Sequence, residues 1–265
     1  MNNLYRELAP VTAAAWASIE EEATRTFKRH NAGRRVVDVA GPHGNDFSAV
    51  GLGRTTQIEA PEGVLARQRR VAPLVELRVP FTLSREEIDN VERGAQDPDW
   101  DPVKDAAKRI AFAEDRAVFD GYAAAGITGI RPGSTCESIA LPSDPRMMPE
   151  AVSQALSQLR LAGVDGPYAV LLGAEEYTQV SETVDHGYPI REHLSRLIGG
   201  DIIWAPALRG AIVVTTRGGD FELHVGQDLS IGYTSHDASR VELYFQESIT
   251  FLVHTPEAAV ALQPS

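Results

Sequence analysis

The stretch from residue 40 to residue 76 sets the tightest limit on how this chain folds. It is rich in turn formers, charges and β-formers, and it lacks the apolar stripe that would build a packed layer. Residues 55–59 and 74–79 read as two strands joined through Ala60, Pro61, Glu62 and Gly63. A lone two-stranded hairpin is at best marginally stable in water. The expectation is a long arm that leaves its own domain and finds cover on a partner surface. The run Leu4-Tyr5 through Leu8-Ala9-Pro10 is apolar without a period of its own, and it too predicts docking.

Around the arm the periodicities are clear. Trp16, Ile19, Ala23 and Phe27 recur at helical spacing after Thr12, a good N-cap, and Gly33 ends the segment. Glu20, Glu21 and Glu22 precede Lys28, Arg29 and His30, which suits the helix dipole. Residues 36–39 read as a short strand. Ser84 and Glu87 form a capping box that opens a helix with Ile88 and Val91 inward, stopped by Gly94. A spine helix follows over 101–125, with Pro102 in its first turn. Its stripe is Val103, Ala106, Ala107, Ile110, Ala113, Ala117 and Tyr122, widened by Phe112 and Phe119. Glycine and proline crowd 126–150 and mark a subdomain boundary. An α/β alternation comes next: helix 149–162, strand 168–172, helix 174–182, loop 183–189, helix 190–197, strands 202–204 and 211–215. After a turn at 217–220 the rest reads as strand: 221–225, 229–234, 241–253, with the tail 258–262 as a possible last one. The layout is an α/β insertion in a domain whose late strands return to the sheet beside the spine helix.

Composition narrows the function. The chain has 265 residues and a net charge of −12, which disfavours wrapping a nucleic-acid backbone. Residues 1–36 nonetheless carry six basic side chains against four acidic ones, and Arg67, Arg69 and Arg70 form a second basic knot. No apolar run approaches the roughly 20 residues of a membrane helix, and the N-terminus lacks a signal-peptide pattern. A soluble cytoplasmic protein is expected. The single cysteine, Cys136, makes neither an internal disulfide nor a multi-cysteine metal site. Gly51-Leu52-Gly53 lacks the third glycine of a dinucleotide fingerprint, no serine sits in a nucleophile elbow, and no histidine pair has the spacing of zinc peptidases. The densest polar cluster is Glu182, Asp185, His186, Tyr188, Arg191, Glu192 and His193. It reads either as the site of a small hydrolase, with His186 as general base oriented by Asp185, or as a solvated loop between two helices. An unsupported arm without a catalytic motif favours an assembly protein, with no metal or cofactor, over a monomeric enzyme.

Several blocks, in order, resemble family 1 encapsulins, bacterial nanocompartment shell proteins also described as linocin-like. They are Leu8-Ala9-Pro10-Val11-Thr12 with Trp16; Phe27-Lys28; Gly33-Arg34-Arg35-Val36-Val37-Asp38-Val39; Phe81-Thr82-Leu83 with the run from Ile88 to Gly94; Gly163 to Tyr168; His186-Gly187-Tyr188-Pro189; Arg217-Gly218-Gly219-Asp220; and Gly226 to Tyr233. The wording is similar to mycobacterial members. The resemblance implies an α+β, HK97 phage-capsid-like fold. Residues 1–45, 77–125 and 226–265 would form the P-domain with its N-terminal helix, 46–76 the E-loop and 126–225 the A-domain. A phage major capsid protein, which shares the fold, is the alternative within that architecture.

The family implies an icosahedral shell of this chain alone, sixty copies in the smallest form. The shell encloses a cargo enzyme that bears a C-terminal targeting peptide. In mycobacterial-type members this cargo is a dye-decolorising peroxidase, which ties the shell to oxidative stress; ferritin-like cargo also occurs. The positions matching the cargo groove are Phe27, Arg34, Asp38, Asp228, Leu229 and Ile231. Those matching the five-fold pore are Asp185, His186, Tyr188 and Glu192, a ring that would favour cations and small neutral solutes. Some members hold a flavin against an aromatic residue in the helix after Phe81-Thr82-Leu83. This chain has Ser84-Arg85-Glu86-Glu87 there, so no flavin is expected.

Overall fold

The computed structural model describes residues 3–264. Helix α1 runs Ala13–His30, and the Thr12 hydroxyl accepts the Ala15 N–H at 3.2 Å, as an N-cap should. Ala15, Ile19, Ala23 and Phe27 face inward. The helix stops at His30, and Gly33 lies in the 3-10 turn Gly33–Arg35 that follows. Strand β1 is Asp38–Ala40, so Val36 and Val37 precede it.

Strands β2 (Ala49–Ile58) and β3 (Ala66–Pro73) make the arm and, among the described residues, pair only with each other. The returning strand is therefore β3, which holds Arg67, Arg69 and Arg70, and not residues 74–79. All of those but Leu74 belong to β4 (Val75–Ser84), whose Val75, Leu77, Val79, Phe81 and Leu83 alternate toward the core. That alternation draws β4 into the main sheet, whereas the mostly polar β3 shows no period to read.

Helix α2 spans Arg85–Glu92. Ser84 caps it by accepting the Glu86 N–H at 3.2 Å. Glu87 instead takes the Asp99 N–H at 3.0 Å and the Asn90 amide at 3.2 Å, so the returning half of the expected capping box does not form. The spine helix α3 is Asp101–Phe119, shorter than expected. Gly121 turns the chain with φ 81°, and a Cβ there would lie 2.7 Å from the Gly129 nitrogen. Tyr122 is consequently exposed rather than part of the stripe.

The second half contains α4 (Ile130–Gly133), β5 (Ile139–Ala140), α5 (Met148–Leu161), β6 (Tyr168–Leu172), α6 (Ala174–Glu182), β7 (Val184–Asp185), β8 (Tyr188–Pro189), α7 (Ile190–Ile198), β9 (Ile202–Trp204) and β10 (Ala211–Thr215). β11 (Phe221–Val225), β12 (Ser230–His236), β13 (Arg240–Val253) and β14 (Ala259–Gln263) complete the chain. The expected loop at 183–189 is thus the small hairpin β7–β8.

One five-stranded sheet is built on β13, which pairs with β4, β11 and β12, with β1 outside β11. The other has the order β5-β14-β10-β6-β9. These memberships cut across the expected boundaries. β11, expected in the inserted domain, belongs to the first sheet; β14, grouped with the P-domain, completes the second. Strand β10 is buried along its whole length, so each of its edges needs a ladder partner; β6 and β14 supply them. The first core packs α1 and α3 on the sheet through Ile19, Phe27, Ile110, Leu83 and Phe245. The second gathers Leu156, Leu159, Val170, Leu194 and Ile212. No helix among the described residues is long and apolar enough to cross a membrane.

On the outer face of the first sheet the Tyr244 ring lies across Gly232, with the Arg78 guanidinium 4.1 Å above it. A Cβ at position 232 would overlap that ring. Gly232→Ala should therefore destabilise the subunit by about 1–3 kcal/mol. Calorimetry should show a lower Tm for Gly232→Ala in the parent, but little further change when it is added to Tyr244→Ala. An equal loss in both backgrounds would show the overlap is not its cause.

Candidate functional site

A groove runs between the C-terminal half of α1 and the segment entering β12. One part of it, about 470 Å³, is lined by Thr24, Phe27, Lys28, Asn31, Arg34, Arg35, Asp228 and Leu229. A neighbouring hollow of about 290 Å³ shares Thr24 and Leu229 with it and adds Leu4, Ala23, Ile231 and Phe245. The helix places Phe27 one turn beyond Ala23, so both face the β12 segment. The floor is apolar, and Lys28 and Arg35 stand exposed on the rim.

Arg34 shapes this groove. Its Nε donates to Glu114 Oε1 at 2.8 Å, its Nη2 to Glu114 Oε2 at 2.6 Å, and its Nη1 to Asp228 Oδ1 at 2.8 Å. Glu247 Oε2 lies 3.6 Å from Nη2, and the guanidinium stacks 5.1 Å from the Phe27 ring centroid. Burial pulls the Arg34 pKa down, but the bonds and charges of Glu114 and Asp228 outweigh it and hold the group above its ordinary value. Asn31 fastens the same turn. It donates to Glu114 at 2.6 Å and accepts the Arg34 N–H at 3.2 Å. Asp115 accepts the N–H groups of Ala32 and Gly33, and its Oδ1 alone reaches both, at 3.1 and 2.8 Å. Burial pushes Asp115 up to about 7, against those backbone donors. Glu247 is also raised, by burial and then by the Glu114 charge.

The structure brings together four of the six residues matched to the groove: Phe27, Arg34, Asp228 and Leu229. Ile231 lies in the adjoining hollow, with its side chain in the core. Asp38 lies apart. Its carboxylate accepts the Gly219 N–H at 2.6 Å beside the turn at 217–220. Three of the five Arg34 side-chain N–H groups are already bonded to Glu114 and Asp228, which leaves at most two for a guest. Thr24, Lys28, Asn31 and Arg35 are lining residues that the sequence reading did not single out. Glu114, Asp115 and Glu247 were also missed. The signal for the first two was an Asp-Glu pair interrupting the apolar stripe of α3.

The loop cluster is a different kind of place. His186 (φ 46°) and Gly187 (φ 81°) form the two-residue turn of β7–β8. Consecutive positive φ values of this kind mark a type I′ hairpin, which favours glycine second and tolerates histidine better than branched residues. The His186 side chain is 97% exposed and lies 3.9 Å from Asp185, beyond hydrogen-bonding distance. The reading of His186 and Asp185 as a catalytic pair is corrected accordingly, since nothing buries or orients the imidazole. Arg196 stacks on Tyr188 at 5.2 Å, while Asp185 and Glu192 are exposed. Among the described residues no group of three or more His, Cys, Asp or Glu is placed to hold a metal ion.

Asp115 gives a pH test. Its folded value near 7 exceeds the ordinary 3.8, so the fold favours the neutral acid. The stability it contributes is full below the ordinary value and is lost as pH rises toward about 7. Asp115→Asn keeps a neutral Oδ1 acceptor at every pH. Its Tm advantage over the parent should be larger at about pH 8 than at about pH 5. An equal difference at both would show that Asp115 does not titrate in this window.

The fold and several sequences place the chain among known proteins. The family model Linocin_M18, described as "Encapsulating protein for peroxidase", matches residues 1–250. A type 1 encapsulin shell protein from Mycolicibacterium paratuberculosis is 67% identical over 99% of each chain, and one from Mycobacterium tuberculosis is 65% identical over the same shares. A more distant shell protein, from Rhodospirillum rubrum, is 52% identical over 99% of this chain and 97% of its own. Among solved structures, the virus-like particle of Pyrococcus furiosus superposes with TM-score 0.62 at 16% identity, covering 93% of this chain and 98% of that one. The Mycobacterium phage Bobi structure gives TM-score 0.61 at 14% identity over 89% and 90%. The α+β fold is therefore that of HK97-type capsid proteins. The sequence relatives are shell proteins and not enzymes, and the chain belongs to the encapsulin shell-protein family.

Proposed function

We propose that copies of this chain close into an icosahedral cytoplasmic nanocompartment, of sixty copies in its smallest form, that encloses a guest enzyme. The arm carries this reading. Among the described residues β2 and β3 pair only with each other, and Ile58 and Val71 on them and Val64 and Leu65 in the turn between are exposed, Leu65 by 89%. A hairpin this thin gains burial by lying across the next copy, and a head-to-tail contact that closes by rotation gives rings. Many such contacts per particle make assembly cooperative.

The groove beside α1 is the seat of the guest. Its apolar floor of Phe27 and Leu229, with Ile231 in the next hollow, suits alternate side chains of an extended C-terminal targeting segment. The family description names a peroxidase, which supports a dye-decolorising peroxidase as guest ahead of a ferritin-like protein. The β7–β8 turn rings the five-fold opening. There Asp185, His186 and Glu192, with Tyr188 behind them, form a polar collar that passes cations and small neutral solutes. Such a shell holds a peroxidase apart from the cell while substrates cross the wall, a role in oxidative-stress defence.

Purified protein should elute as a megadalton-scale particle with an enzyme inside. Leu65→Asp combined with Val64→Asp should shift it toward monomers or small oligomers. A parent protein that runs as a stable monomer overturns the reading. In loaded shells, replacing both Asp185 and His186 with leucine should slow turnover of small charged substrates, with free guest enzyme as the reference; equal rates would place solute entry elsewhere.

A further inference from the structure

Strands β11 and β12 lie in tandem along one side of β13. Ile249 pairs with both Val225 and Val75, and Phe245 pairs with both Ile231 and Val79, so β4 lies on the opposite side, along β12 and up to the first pair of β11. The outer edge of the tandem is occupied at both ends. β1 pairs with β11 over Asp38–Ala40, and the Leu4 carbonyl accepts the Tyr233 N–H at 2.8 Å. Between these lie residues 229–231, where the groove opens.

The direction of the main chain in that gap follows from a proline. Pro80 stands opposite Tyr244, and Tyr244 opposite Gly232. Proline has no N–H, so its pairing with Tyr244 is of the non-hydrogen-bonded kind, and Tyr244 spends its groups on Gly232. The Pro80 carbonyl accordingly faces away from β13 and accepts from Arg109 at 3.4 Å. Because pairs alternate, Ile231 opposite Phe245 is non-hydrogen-bonded toward β13. Its N–H and C=O point to the groove, as the same parity at Tyr233 shows. Among the described residues neither group bonds to anything outside the ladder.

We infer that the guest segment binds by strand addition, exchanging main-chain hydrogen bonds with Ile231 on the free edge of β12. This rests on the guest-binding role proposed above and says which feature of the guest is read. The occupant is an extended peptide, because the chain's own Leu4 already seats main chain on this edge. Side chains two residues apart on one face of such a strand are about 7 Å apart. That spacing lets them enter the two hollows on either side of Leu229. Main-chain bonds then supply register and part of the affinity, and the hollows supply side-chain preference. The recognised segment is apolar at alternate positions and keeps a free N–H where it meets Ile231.

The probe is a fluorescein-labelled synthetic peptide copying the C-terminal tail of the protein that co-purifies with the shells, read by anisotropy against cargo-free shells. In a scan of single backbone N-methyl groups, the position facing Ile231 should weaken binding about tenfold, the worth of one hydrogen bond, and its immediate neighbours much less. Ile231→Pro is tolerated by the ladder, since that N–H is outside it. It should bind about tenfold more weakly than Ile231→Ala. If Leu229→Asp abolishes binding while the N-methyl profile is flat and the two Ile231 variants agree, the groove stands and strand addition falls. If the tail does not bind parent shells at all, the guest-binding role falls with it.

Discussion

The Arg34 guanidinium joins parts of the molecule that are far apart in sequence. It leaves the turn after α1, grips Glu114 on α3 with two nitrogens, reaches Asp228 ahead of β12, and lies near Glu247 on β13. Glu114 and Glu247 are buried, so the cost of removing their charge from water is met only if a cation or a proton stays with them. Burial and the Glu114 charge raise the Glu247 pKa, and Glu114 pairs with the Arg34 cation. The arginine thereby ties helix, spine and sheet at one point, and the groove exists because these three cannot slide past one another there. Asp115 and Asn31 fix the same turn from its backbone side.

The same clamp sets the character of the groove. With three N–H groups bonded to Glu114 and Asp228, Arg34 is fixed in its wall. The apolar residues Phe27 and Leu229 line the rest beside the segment entering β12. A free strand edge is normally an aggregation hazard. Here α1 borders the gap, and β1 and Leu4 occupy the edge on either side of it, which limits the length left open.

The arm and the β7–β8 turn carry the opposite arrangement, with little packed against them by their own chain. Leu65 at the arm and His186 at the turn project into solvent in the isolated subunit. Features of this kind make sense in a family of shell proteins, where symmetry supplies the missing neighbours. The cluster from Glu182 to His193 is poor as chemistry because its acids and imidazoles are exposed and nothing orients them.

Much of this was legible in the chain itself. The stripe of Ile19, Ala23 and Phe27, the Thr12 cap and the strands at 168–172 and 211–215 follow from local period and capping, which short-range sterics and burial decide. The thinness of the arm was legible too, although β3 was not, because its edge-to-edge pairing needs no alternation. The family blocks carried Phe27, Asp228 and Leu229 into the groove. They did not reveal that Asp38 bonds the turn at 217–220, or that Arg34 pairs with Glu114. Nor did they show that β14 crosses to the other sheet or that Ile231 turns its main chain outward. Those outcomes depend on which groups meet across long separations, as Arg34 meets Glu114 and Asp228, and on ladder parity set by one proline in another strand. A local pattern holds the choice of helix or strand, because that choice is made among neighbours. The partner of a buried charge and the facing of a strand edge are decided only when distant segments pack, so only the folded chain contains them.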